Sequence, residues 1–486
     1  MKRIFLLCLT ALCLSASLNL LPTYSQQTAQ NADWKVLLDS ARSFERQAKS
    51  DSALSYALRA VEAMKKRTSQ HPDTNYVSGL NIVSSILIEK RKYKETEKYC
   101  AEAYSLSKQI YKTDNEEYAN AIHNMGVFYF VSENFEKAQP LMQEALAIRR
   151  RIFKGDTPAL ANSISDLGVF FYSIGDYAKT EKLYLEALSM RERLFTGDNE
   201  DIANSRSNLG TLFHRIGNFA KAEKYYVESL SMRRKLSKNN DNPLLSTSIN
   251  NLGTFYLYLG EYSKAEEFLN EGLAMQKRIF KGDHGSIALT LNNLGTLYRA
   301  LSNYAKAEQV YSEALAMLRR LSKGDNSSLA RSLDALGKIC VIRGEYSKAE
   351  PLIREGLEMR RRLFKGDHTD IAFSLENLGL LYLQRGDTIE SEQYFVDMNS
   401  MRNRIFGGYH RDKLSSNIIL AQYYNLHGNY TKTDSLYSVV FDLSLRMMDN
   451  VFSSLSEREK QAFWGTMNSY IEQYNSFAAD HNADQP

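Results

Sequence analysis

Four cysteines and eight histidines are the side chains here best suited to nucleophilic or metal chemistry. A cysteine nucleophile needs a depressed pKa, partial exposure and a base nearby. Cys8 and Cys13 lie in an apolar N-terminal run, which leaves Cys100 and Cys340, 240 residues apart. Each stands where aromatic residues recur elsewhere in the chain, so both are expected to fill the core. His284 and His368 sit in matching Gly-Asp-His loops too far apart in sequence for a metal site, and are read as turn and capping residues. No P-loop, His-Glu-x-x-His, Gly-x-Ser-x-Gly or Cys-x-x-Cys pattern occurs. The sequence therefore predicts no catalytic residue, no metal site and no cofactor.

The elements that carry these residues are repeats. A Leu-Gly or Met-Gly pair, usually preceded by Asn or Asp, recurs with glycines at Gly126, Gly168, Gly210, Gly253, Gly295, Gly337 and Gly379. The steps are 42 residues, with one of 43 absorbed in the polar loop Lys238-Asn239-Asn240-Asp241-Asn242-Pro243, where an extra residue adds little closure entropy. Between Ile202 and Ile216 the apolar residues have helical spacing, and Gly217-Asn218 breaks the run. A second helix from Phe219 to Leu236 carries Ala222, Tyr226 and Leu230 on one face. Each repeat thus reads as a helical hairpin, A then B. Gly210 and Ala222 are small, which suits a close approach of the two helices.

Leu167-Gly168, Phe171, Gly175, Thr180, Tyr184 and Ala187 resemble the tetratricopeptide repeat in type and offset. The usual terminal proline is absent, with Glu192 near its place. The longer B helix, and Asn-Leu-Gly at Asn208, Asn251, Asn293 and Asn377, are similar to the kinesin light chain variety. The resemblance implies an all-α, right-handed superhelical solenoid of about ten tetratricopeptide-like hairpins. Degenerate hairpins are expected over 34–112, regular repeats over 115–407 and a degenerate last hairpin over 410–449. At the ends, Ser84 and Ala421 stand where the glycine would be. Helices over 450–479 would cap the stack, ahead of a tail at 480–486.

The N-terminus reads as an address. Lys2 and Arg3 precede an apolar run from Ile4 to Leu14, with small and polar residues up to Ser25. This is the layout of a secretory signal peptide over 1–25, followed by a linker over 26–33, in an exported bacterial protein, periplasmic or secreted. Removing it lowers the formal net charge from +4 to +2, so neither nucleic acid nor a membrane surface is expected as a partner. Near the other end, Val451 to Trp464 resembles the stretch before the caspase-like CHAT domain of bacterial tetratricopeptide proteins. Either such a domain follows Pro486, making this chain its sensor arm, or the chain stands alone.

The resemblance implies that A helices line a concave groove for a protein or peptide partner. Two residues before the repeat glycines stand Asn124, Asp166, Asn208, Asn251, Asn293, Ala335 and Asn377, a ladder of mostly amides. An amide offers a donor and an acceptor to an extended peptide backbone. Asn120, Asn162 and Asn204 would widen the ladder, and Arg215, Tyr258, Arg299 and Lys338 would add charge and stacking. The alternative is that these Asn residues tie neighbouring helices together. Arg149-Arg150-Arg151, Arg233-Arg234-Lys235 and Arg360-Arg361-Arg362 close B helices and read as a solvated face complementing the helix dipole, or else as a ridge for acidic partners. A third possibility for the whole chain is a self-assembling solenoid with no separate ligand.

Overall fold

The computed structural model describes residues 34–46, 50–65, 73–451 except 91, 133, 239, 323, 365 and 407–409, and residues 468 and 471–479. The leader, the linker, most of 450–479 and the tail lie outside the described residues. Two compact units are resolved, Met1–Phe195 and Thr196–Pro486.

The first unit contains four hairpins: α1 (Trp34–Arg46) with α2 (Ser50–Lys65), α3 (Thr74–Glu89) with α4 (Tyr93–Ile110), α5 (Glu116–Val131) with α6 (Phe135–Ile152), and α7 (Pro158–Ser173) with α8 (Tyr177–Leu194). The second contains six: α9 (Glu200–Arg215) with α10 (Phe219–Ser237), α11 (Pro243–Tyr258) with α12 (Tyr262–Ile279), α13 (Gly285–Ala300) with α14 (Tyr304–Leu321), α15 (Ser327–Ile342) with α16 (Tyr346–Leu363), α17 (Thr369–Arg385) with α18 (Thr388–Ile405), and α19 (Arg411–Leu426) with α20 (Tyr430–Val451). Odd-numbered helices are A and even-numbered helices B. Within a unit each B helix packs on its own A helix and on the next one. Residues 471–479 add a short helical stretch whose Phe477 is buried against Tyr437 and Tyr474. No strand occurs among the described residues, and no helix there is long and apolar enough to cross a membrane.

The glycines explain how the two helices of a hairpin meet. A Cβ on Gly295 would stand 2.5 Å from Tyr311 Cε1, and one on Gly168 2.7 Å from Tyr184. The same clash recurs between Gly210 and Tyr226, Gly379 and Phe395, Gly337 and Ile353, and Gly126 and Met142. The bulky residue always follows its glycine by sixteen positions, one turn beyond the alanine that the sequence suggests. Of the two positions where the glycine is replaced, Ser84 faces the small Cys100, both completely buried, whereas Ala421 keeps Tyr437 in the same buried cluster.

Side-chain caps set the A-helix starts. Asn115 Oδ1 accepts from the Glu117 N–H at 2.8 Å, and Asn199 Oδ1 from the Asp201 N–H at 2.8 Å. At α13, α17 and α19 the cap is a histidine, whose Nδ1 accepts from the N–H of Ser286, Asp370 and Asp412 at 3.2, 3.0 and 3.1 Å. Each ring lies flat against the Phe four residues earlier, His284 on Phe280, His368 on Phe364 and His410 on Phe406, with centroids 3.4 to 3.5 Å apart. His284 and His368 are thus the caps that their Gly-Asp-His loops suggest.

An accepting Nδ1 requires a neutral imidazole. Burial pushes His410 down to about 4 and lowers His284 from its ordinary value. Arg215 and Arg402 push His410 the same way, while Asp412 opposes them. A folded pKa below the unfolded value of 6.5 means that the unfolded chain binds more protons between the two. The contribution to stability is therefore complete above the unfolded pKa and is lost as pH falls towards the folded one. Urea unfolding followed by circular dichroism is expected to show a lower midpoint near pH 5 than near pH 7. His410 alone accounts for about 2 kcal/mol of that loss. His410→Asn, a cap that does not titrate, is expected to flatten the dependence.

Candidate functional site

The arginine-rich B-helix ends are only in part the solvated face expected from sequence, because one cation of each run is buried. In Arg360-Arg361-Arg362 the three neighbours have three fates. Arg360 is 1% exposed and its guanidinium reaches Asp334 on its own A helix and Ser374 on the next. Arg361 pairs with Glu358 at 2.8 Å, and Arg362 grips both oxygens of Asp325 at 2.9 Å. Arg149 is likewise buried, donating to Ser163 Oγ and to Asn120 Oδ1, while Arg151 is bidentate on Asp114. Arg233 reaches Glu200, Asn204 and Ser248. One cation of each run thus pins a B helix to two A helices. The outermost one ties the helix to the loop before its hairpin.

Asn120 and Asn204 therefore spend Oδ1 on these pins, as does Asn162, which accepts from Arg191 at 2.7 Å. The fork geometry of arginine suits this task because one planar group reaches two helices at once. A signal was present in the sequence: an acid precedes the outer arginine by 37 residues at Asp156 and Arg193, Asp241 and Arg278, Asp283 and Arg320, and Asp367 and Arg404. Hydrogen bonds from these guanidiniums hold the four carboxyls below their ordinary range.

The amide ladder divides between internal ties and uncommitted groups. In the first unit, Asn124 is buried and donates through Nδ2 to the Asn81 carbonyl at 3.1 Å, and Asp166 meets His123 at 3.1 Å. In the second, half-buried Asn251 donates to Ser207 Oγ at 3.5 Å, and Asn293 donates to Asn250 Oδ1 at 3.4 Å and Thr254 Oγ1 at 3.1 Å. Asn208 is half-buried, with no hydrogen-bond partner among the described residues. Asn377 is 2% exposed, and neither its Nδ2 nor its Oδ1 has a partner. Such a group costs free energy unless something else satisfies it.

The flanking residues fall in different places. Tyr258 is exposed at the end of α11, edge-on to His214 with ring centroids 4.6 Å apart. Arg215 reaches Asp412 at 3.6 Å. Arg299, half-buried on α13, stands beside the Tyr311 hydroxyl. Lys338 and Asn377 are brought together in a crevice of about 550 Å³ between α15 and α17, with Val341, Ile342, Tyr346, Leu380 and Gln384 in its walls. Burial lowers the Lys338 ammonium from its ordinary value, with Glu376 opposing.

Cys100 and Cys340 are buried free thiols. Burial pushes Cys100 up to about 11 and raises Cys340. This environment disfavours the thiolate that nucleophilic chemistry needs. Among the described residues no three His, Cys, Asp or Glu side chains gather as a metal site.

The tetratricopeptide repeat model matches residues 78–151, 117–179, 160–235, 244–320, 286–362 and 328–397, more than half of the chain. The chain is a tetratricopeptide repeat protein. No curated protein matches it. Among solved structures it is similar to NprR in complex with its cognate peptide NprX, at 13% identity and a TM-score of 0.54, over 85% of this chain and 99% of that one. It is also similar to a Rap protein complexed with competence and sporulation factor, at 14% identity and a TM-score of 0.53, over 78% and 99%. A putative kinesin light chain repeat structure from Podosopora anserina aligns at 15% identity and a TM-score of 0.38, over 44% and 100%.

If the arginine pins hold the repeats in register, Asp334→Ala leaves Arg360 buried without its counter-charge. A loss of about 3–5 kcal/mol is expected in urea unfolding. Replacing both partners, with Asp334→Leu and Arg360→Met, is expected to restore most of it, since packing then takes the place of the pair.

Proposed function

We propose that this tetratricopeptide repeat protein is a non-catalytic scaffold that holds an extended segment of a protein partner along the A helices of its second unit. The observation that carries this reading is the set Asn208, Asn251, Asn293 and Asn377. They occupy one position in four A helices and keep amide groups that the fold does not use. Asn208 and Asn377 are wholly uncommitted, while Asn251 and Asn293 spend only Nδ2 on internal ties. An extended chain alternates N–H and C=O groups, and a row of amides answers both without requiring one sequence. The fold likeness to NprR, solved with its cognate peptide, is consistent with this use of the architecture.

The test is a random-peptide display selection on the full chain, followed by calorimetry of the enriched peptides. Peptides in extended form are expected to bind with micromolar affinity. The triple variant Asn208→Ala, Asn251→Ala, Asn293→Ala is expected to weaken them at least about tenfold while keeping its helical circular dichroism. Equal binding by the folded variant, or no enrichment at all, would contradict the proposal.

A further inference from the structure

Arg215 and Asp412 are 197 residues apart in sequence, on α9 and α19, yet their side chains approach to 3.6 Å. Five hairpin steps separate these helices in a stack where each B helix packs on its own A helix and on the next. The second unit has therefore curved back on itself. The pair joins the last residue of α9 to the second residue of α19. Such an end-to-start meeting is what a superhelix gives after one turn that rises by about one helix length, ~24 Å for the 16 residues of α9. Arg215 follows Asn208 by seven residues, so both lie on one face of α9. The ladder face of α9 is thus the face that looks across at α19. By the repeat, the matching faces of α11, α13, α15 and α17 line the same enclosed space.

A second observation shows that the start of α19 is covered. His284, His368 and His410 cap α13, α17 and α19 in the same way, but His410 is buried where the other two are half-buried. The charged groups that act on its ring come from three helices. Arg215 of α9 and Arg402 of α18 oppose a positive charge there, and Asp412 of its own helix favours one. Arg402 is answered by Glu376 of α17 at 2.8 Å. Asp412 stands between two candidates for its carboxylate, Arg215 at 3.6 Å and His410 Nδ1 at 3.8 Å.

We propose that Arg215 and Asp412 form a clasp that closes the groove of the second unit, and that a proton on His410 opens it. With a neutral ring, Nδ1 accepts the Asp412 N–H and leaves the carboxylate to Arg215. Protonation places an N–H on Nδ1. The helix start then loses its cap acceptor, the ring becomes a competing donor to the Asp412 carboxylate, and a second cation faces Arg215. All three changes act in one direction. A half-exposed pair at this distance is a weak tie, so the clasp can part without unfolding the stack. The closed form holds His410 at about 4, below its ordinary 6.5, so an open form that exposes the ring binds the proton more tightly. Closure is complete above the ordinary value and is withdrawn as pH falls towards the lower one. A chain segment lying on the ladder is encircled, and leaves sideways only when the clasp is open. The device stands apart from the scaffold reading, because it concerns the shape of the unit itself.

The test is a distance across the clasp. Lys224→Cys on α10 and Thr431→Cys on α20, both exposed positions, carry nitroxide labels in the full chain with Cys8→Ser and Cys13→Ser. Cys100 and Cys340 are buried and react slowly. Pulsed electron paramagnetic resonance is recorded near pH 7.5 and near pH 5, with circular dichroism to confirm the fold. One short distance is expected near pH 7.5. Near pH 5 a longer one should join it, with the open-to-closed ratio raised about tenfold or more. Arg215→Gln should give the longer distance at both pH values, and Arg215→Lys should keep the short one. His410→Asn retains a cap that does not titrate, so this variant should stay closed near pH 5. An unchanged distance in Arg215→Gln, or in the parent on acidification, would overturn the proposal. So would equal opening of His410→Asn and the parent, because the proton would then act elsewhere. The scaffold reading is judged separately, by whether the display selection enriches peptides.

Discussion

Each regular hairpin depends on a large B-helix side chain lying across the bare backbone of a glycine in its own A helix. At Gly295 the Tyr311 ring occupies the space that a Cβ would need, and the same holds for Gly168 with Tyr184 and Gly379 with Phe395. The contact sets the distance between the two helices, because a Cβ at the glycine would overlap the partner side chain. Ser84 with Cys100 shows one way round the constraint, a smaller partner, while at Ala421 a single methyl group is accommodated beside Tyr437. Close packing of this kind leaves little slack, so the exchange of small for large must be nearly volume-conserving.

Once the hairpins are set, polar groups decide how they stack. The buried arginines Arg149, Arg233 and Arg360 join their own A helix to the next through Ser163, Ser248 and Ser374. In three A helices the pin also takes the Asn one turn before the ladder position, at Asn120, Asn162 and Asn204. Most ladder amides then make a tie to the preceding helix. The two that do not, Asn208 and Asn377, are where the fold leaves hydrogen-bonding capacity for something else. The functional reading thus follows from which residues the stack has already used.

Much of this architecture is legible in the sequence. The glycine period, the helix-breaking Gly217-Asn218 and the core assignment of Cys100 and Cys340 all follow from spacing and residue type. The histidine caps could be read from their loops as well. The arginine runs could not, since adjacent cations at a helix end have a sufficient local explanation in the helix dipole. Only the partners of Arg360, 14 and 26 residues away on two A helices, reveal that one of the three is inside. The ladder was visible as a pattern, but whether an Asn is tied or free depends on its neighbour in the adjacent repeat. Lys338 belongs to the same class of feature: its type is plain in the sequence, whereas its lack of a counter-ion beside an unsatisfied Asn377 is a property of packing.

The central claim is that the glycine contact governs hairpin geometry, and it is tested most directly by adding one methyl group and then making room for it. Gly295→Ala should lower stability by about 1–3 kcal/mol in denaturant unfolding. Adding Tyr311→Cys should recover part of that loss, as in the natural Ser84 and Cys100 pair, although the smaller ring-free side chain buries less surface. If Gly295→Ala leaves stability unchanged, or if Tyr311→Cys only deepens the loss by its own separate cost, the helices do not meet as described and the account of the fold fails at its base.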